Sequence, residues 1–513
     1  MSETVHARRD KSDVGDQPRP LTRREALLGG GLLATLLAGG GGCGPQGGQS
    51  LLDAASRTEF APPAGGRMKD RRISLVNGDA SAVPAPSPMP RLRDLPAVRG
   101  AEPDFGVIEK IATRQRTFAR RDAAADPNLP RTRLISRLTN GVTPEEEALY
   151  DQLGYEGYLE YHLDWESIDD SELDALLAPL TTLEMAPWQI YAMENRFEAI
   201  GELITAQVLR SIYTRRQLHD RMAQFWTDHF NISILDDLQE VLKPVDDRTV
   251  IRRHALGTFP DLLRASAHSP AMMLSLDNYS STVGNINENY ARELMELHTM
   301  GVDGGYTQQD VIEVARCFTG WTVNGTPGES FLTFIYYPPY HDTGEKWVLG
   351  NRIAPNRQQR DGNEVLDILI NHPSTAQFIS GKIVRWLWGY NPPQKLVDEV
   401  TQTYVDTGGD IRAMIRATLA YDWLIQAPPK HKRPQHYISS AIRSIAPFVA
   451  DIGGIFNALD ALGHVPYFWP APNGYPDSVG YWSGLLLPRW NFAADMMNND
   501  LPGVVSDPAD VVG

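Results

Sequence analysis

The sequence predicts a mainly α fold, a large multi-helix globular domain with a small β-hairpin excursion. Apolar residues recur at helical spacing: Phe197, Ile200, Ile204, Val208 and Ile212 are three or four apart and fall on one stripe, continued by Leu218, Met222 and Phe225. Helix-start signals are frequent. Thr143-Pro144-Glu145-Glu146 combines an N-cap residue, a proline at the first helical position and acids in the first turn, and Thr307 followed by Asp310 is a second capping start. Strand signals are few, the best being FLTFIYY and KWVLG on either side of His341-Asp342-Thr343-Gly344, read together as one hairpin. Further helices are predicted near 374–389, 395–405, 410–422 and 436–450, where NPP, TGGD and PPKHKRPQ interrupt the periodic runs. No repeat of fixed period appears, which argues against a solenoid.

The chain divides into four parts. Residues 1–43 read as an export signal. Arg23 and Arg24 precede an apolar run of about sixteen residues, too short to span a bilayer and suited to a signal-peptide core. Thr22-Arg23-Arg24 with Leu27 and Leu28 resembles a twin-arginine signal, with Ala26 where an aromatic is usual. Cys43 ends the run behind small residues, as in a bacterial lipoprotein, with Gly40 where leucine is expected. Lipidation at Cys43 and ordinary cleavage nearby are both open, and the first would tether an otherwise soluble protein. Residues 44–104, rich in Gly, Pro, Ala and Ser, read as a flexible linker. Residues 105–500 form the helical domain, and 501–513 a C-terminal tail. The expected location is therefore the periplasm or outer cell envelope, with membrane contact only through the signal or a lipid anchor.

Composition removes some functions. With 42% hydrophobic residues the body buries enough apolar surface to fold. A formal charge of −16 argues against nucleic acid as a partner and weakens adhesion to anionic lipid. The two cysteines, Cys43 and Cys317, build no disulfide framework, and Cys317 in VIEVARCFTGW reads as a small buried hydrophobe.

The segment NENYARELMELHTMG concentrates titratable groups. At about 100° per residue His298 faces away from the glutamates, and Glu288, Arg292 and Glu296 form an i, i+4, i+8 ladder whose ordinary meaning is ion pairing. Glu293 or Glu296 can still serve a site completed by histidines from other segments: His229, His254, His268 or His341, with Asp342 next to the last. The catalytic candidates are thus His229, His254, Glu293, Glu296, His298, His341 and Asp342, and a divalent metal is a cofactor such a set admits. No nucleophile elbow, H-E-x-x-H, P-loop or dinucleotide fingerprint is present. Trp469, Tyr475 and Trp482, in the Pro- and Gly-broken loop YFWPAPNGYPDSVGYWSG, read as a platform for sugars or other flat faces. The plainer alternative, aromatics sealing the core, is favoured.

Taken in order, RLTNGVTP, FWTDHFNIS, RRHALGTFPDLLRASAHSPAMMLSLDN, NINENYARELMELHTMGVDGGYTQQDV, ARCFTGWTV, YHDTGEKWVLG, WPAPNGYPD and RWNFA resemble the bacterial domain of unknown function 1800 family over about residues 130–495. Thr227-Asp228 departs from the family pattern, in which a histidine and an asparagine are expected before His229. The resemblance implies an exported protein associated with a second secreted, sulfatase-like family, domain of unknown function 1501, and hence metabolism of an extracellular polymer or sulfated substrate. The favoured reading is an extracytoplasmic, hydrolase-like enzyme with a His/Glu site. The alternative is a non-catalytic envelope protein that binds a polymer or a sulfatase-like partner.

Overall fold

The computed structural model describes residues 106–110, 129–445 and 448–505, all within one compact unit. The expected signal, Cys43 and the whole of the expected linker lie outside the described residues. Helices dominate, joined by short 3-10 and π turns, and the strands form three two-stranded antiparallel sheets among the described residues. No described helix is long and apolar enough to cross a membrane.

The stripe read from the sequence builds the helix Phe197–Tyr213, which ends before Gln217–His229 begins. Both are buried along most of their length. Phe197–Tyr213 joins an apolar cluster with Ile438, Ile442 and Ile455, whereas Met222, Phe225 and Trp226 join a larger cluster with Phe259, Leu294 and Phe318. Thr143 caps Pro144–Leu163 by accepting from the Glu146 amide, and Thr307 caps Gln308–Phe318 in a reciprocal pair with Asp310.

The single expected hairpin is two. Phe334–Tyr336 pairs with Trp321–Val323, and Lys346–Val348 with Asn351–Ile353. Pro338 and Pro339 turn the chain away after Tyr336, and Leu349-Gly350, both with positive φ, provide the two-residue turn that closes the second hairpin. The helix expected over 410–422 breaks into Ile411–Thr418 and Tyr421–Leu424, and that over 436–450 starts at Pro434 and gives way to the strand Phe448–Val449. Val504–Val505 pairs with that strand, and Leu501 and Val504 are buried, so the folded body runs past 500.

The segment of residues 287–301 is not a uniform α-helix. Asn289–Glu293 is α and Leu294–Thr299 is π, with the Met300 amide bonded to the Met295 carbonyl at 2.8 Å, five residues back. The wider turn takes Glu296 off the expected ladder. Arg292 pairs with Glu288 at 3.1 Å, Gln308 completes that contact from the next helix, and Glu296 accepts from the Tyr306 hydroxyl.

Candidate functional site: a cationic cavity

Four segments meet around a cavity of about 230 Å³. The helix Pro130–Leu138 contributes Arg133 and Arg137, one turn apart. Gln217–His229 contributes Arg221, Gln224 and Asp228, which share a face because they are three and four residues apart, while Met222 and Trp226 point into the core. Pro373–Leu387 contributes Trp386. The fourth segment, Lys430-His431-Lys432-Arg433, lies between Pro429 and Pro434, and prolines at both ends keep it out of helix. The loop after His464 closes the wall with Tyr467, Tyr475 and Asp477. Gly474 lets it approach: its φ is +69°, and a Cβ there would meet the Asp228 carbonyl oxygen at 2.1 Å.

Six guanidinium or ammonium groups line this cavity, against two carboxylates. Both carboxylates are engaged, Asp228 with Arg433 at 2.6 Å and Asp477 with Lys430 at 3.1 Å. Arg137 and Arg133 donate to main-chain carbonyls, and Lys432 to the Ser440 hydroxyl. Arg221 is 4% exposed, and its guanidinium lies 4.9 Å over the Trp386 ring. Several buried N–H groups on the lining residues have no hydrogen-bond partner among the described residues: Nε of Arg137, Arg221 and Arg433, Nε1 of Trp386 and Nε2 of Gln435. Nε2 of His436 is likewise unpartnered.

These charges act on one another. Burial first, and then the cationic neighbours, bring Arg137 and Arg221 down to about 10 and Lys432 to about 8. Burial lowers Lys430 to about 7 against the opposing pull of Asp477. Burial and then Arg221 hold His436 well below the ordinary histidine value, so its ring is neutral at pH 7. A bound anion would oppose each of these shifts.

The residues singled out in the sequence are distributed differently. His229 and His298 lie together in the core with ring centroids 6.1 Å apart, and His229 Nε2 is 3.1 Å from the His298 carbonyl. Lys382 donates to His229 Nδ1 at 2.8 Å, and burial brings this amine down to about 8. Glu293, at the end of the α segment, and Glu296, on the π segment, are partly exposed, and burial followed by the neighbouring Glu296 lifts Glu293 to about 7. His254 is half-buried near Asp261. His341 is locked in another network, with Nδ1 at 2.7 Å from the Thr319 carbonyl and Nε2 at 3.2 Å from Asp361. Asp342 holds Arg316 through both oxygens. Among the described residues no three His, Cys, Asp or Glu side chains are placed to hold a metal ion.

Of the aromatic candidates, Tyr475 lines the cavity and donates to the Val465 carbonyl, and Trp482 is 1% exposed and donates to the Pro476 carbonyl. Trp469 donates to Asn473. Sequence reasoning passed over the cavity's own residues, treating PPKHKRPQ as a joint between helices. The available signal was a basic run in an acidic chain.

A helical body whose polar centre is a buried cationic cavity is the class that fold and site define. The chain belongs to the family described as Protein of unknown function (DUF1800), whose model matches residues 133–512. No curated protein and no solved structure matches it. Thr227-Asp228, where the chain departs from the expected family pattern, lines this cavity.

Proposed function

We propose that this chain is an exported, hydrolase-like enzyme that grips an anionic group of its substrate in the cationic cavity. The export reading rests on the signal-like N-terminus, with Cys43 as the tether if it is lipidated. The enzyme reading is carried by one observation. Buried cations without carboxylate partners cost stability, and a chain of net charge −16 gathers them around a single cavity. Cationic side chains around a sheltered space stabilise negative charge as it develops, and the His436 ring, neutral at rest among them, gains basicity once a bound anion offsets their repulsion.

Melting of the folded protein tests the site. Phosphate or sulfate at about 100 times its dissociation constant should stabilise by about 2.7 kcal/mol, and sodium chloride of equal ionic strength should not. Chromogenic phosphate, sulfate and carboxylate esters test turnover. A wild-type rate matched by His436→Gln would remove His436 from the reaction. Anion binding with no turnover of any ester would favour a second, non-catalytic reading.

That second reading, polymer retention, has its own observation. Tyr481 and Trp490 are 47% and 72% exposed, and Leu486 and Leu487 between them in sequence are exposed too, all outside the cavity lining. Polymer retention unchanged in Trp490→Ala would dismiss it.

A further inference from the structure

We infer that the cavity holds a tetrahedral oxyanion group, a phosphate or a sulfate, in preference to a carboxylate. The inference rests on the anion-directed reading above and adds the ligand class. A carboxylate is planar, and its two oxygens are satisfied by one or two guanidinium forks approaching in its plane. A phosphate or sulfate presents three or more acceptor oxygens pointing in different directions and carries up to two negative charges.

The unpartnered N–H groups fit the second description. They come from separate places in the chain: Arg137 on Pro130–Leu138, Arg221 on Gln217–His229, Trp386 on Pro373–Leu387, and Arg433 and Gln435 beside the proline-bounded segment. The residues that carry them line one cavity from several sides, so a ligand there meets cationic and N–H-bearing side chains from more than one direction. With Asp228 occupied by Arg433 and Asp477 by Lys430, the cations Arg137, Arg221 and Lys432 have no carboxylate in the lining left to balance them. That excess charge matches a dianion better than a monoanion. Arg221 is the central contact, since it is buried, leaves Nε unpartnered and has its guanidinium held 4.9 Å over the Trp386 ring.

Titration calorimetry of the folded protein at constant ionic strength tests this with four probes: inorganic phosphate, inorganic sulfate, phenyl phosphate and benzoate. One-to-one binding of the oxyanions at least about tenfold tighter than benzoate is expected, and Arg221→Gln should weaken them by about tenfold or more. Arg412→Gln, which removes a surface cation paired with Glu166, should leave them unchanged. Arg221→Lys, which keeps the charge and loses the fork, should fall between wild type and Arg221→Gln, and it serves if the glutamine variant does not fold. Phenyl phosphate binding as tightly as the free ions identifies an ester group as the ligand. Free ions binding alone identify the ion itself, and both outcomes uphold the tetrahedral class. Benzoate binding as tightly as sulfate overturns it while leaving the anion-directed reading intact. Failure of every anion to bind overturns both.

Discussion

Two buried clusters of charge in this molecule are opposites. Around His341 the charges close on themselves: Asp361 accepts from Lys346 at 2.7 Å, meets His341 at 3.2 Å, and all three side chains are sealed from solvent. Burial alone would raise the Asp361 carboxyl, yet the hydrogen bonds from His341 and Lys346 hold it below the usual carboxylate range. Around Arg221 cations outnumber carboxylates six to two, both carboxylates are already paired, and the excess cations line a cavity. The first arrangement braces the second hairpin against the helix Arg360–Ile370. The second pays in stability for readiness to meet an anion. Local pairing, more than burial or residue type, separates scaffold from site.

The largest effect should come from breaking the closed cluster. Asp361→Ala leaves Lys346 buried without its carboxylate and should cost about 3–5 kcal/mol in chemical denaturation, with anion affinity unchanged in the fraction that folds. A loss below about 1 kcal/mol would show that the network does not hold the hairpin.

A smaller effect should follow pH at the open cluster. Lys432 is cationic below about 8 and loses its charge as pH rises through that value. Lys430, at about 7, does the same at lower pH, so affinity for sulfate should fall steadily from pH 6, by about three- to tenfold by pH 9.5, and less so in Lys432→Gln. Affinity that is flat across this range would exclude Lys432 from the ligand's field.

The smallest effect belongs to Glu293, partly exposed and without a cation on its side chain strong enough to offset burial. Its carboxyl is raised to about 7, so the folded state favours the protonated form. The cost appears as pH climbs above the ordinary carboxylate range and is complete above 7. Glu293→Gln should melt about 1–3 °C higher than wild type at pH 8 and together with it at pH 4. Equal melting at both pH values would mean that Glu293 is paired in solution.

The sequence made the scaffold legible because a helix writes its buried face into local spacing. Phe197 to Ile212 and the caps at Thr143 and Thr307 depend on residues within a few positions of each other. The π turn over Leu294–Thr299 left no such mark, so a regular helical step placed Glu296 beside Arg292 where the structure does not. The cavity was harder still. Arg137 and Arg221 are separated by much of the chain from Lys432, and each alone reads as a solvated surface cation. Only the packing of Pro130–Leu138 and Gln217–His229 against the proline-bounded segment shows that they face one space. The prominent histidines attracted attention by composition, and His341 turned out to be committed to Asp361.

The contrast between an acidic chain and its basic hollow also governs encounter. A polyanion drifting toward such a molecule is turned back over most of the exterior and drawn in only where the field reverses at the mouth. Small anions and the tips of longer chains are thereby admitted ahead of bulky charged strands, and capture should slow steeply as added electrolyte erases that reversal.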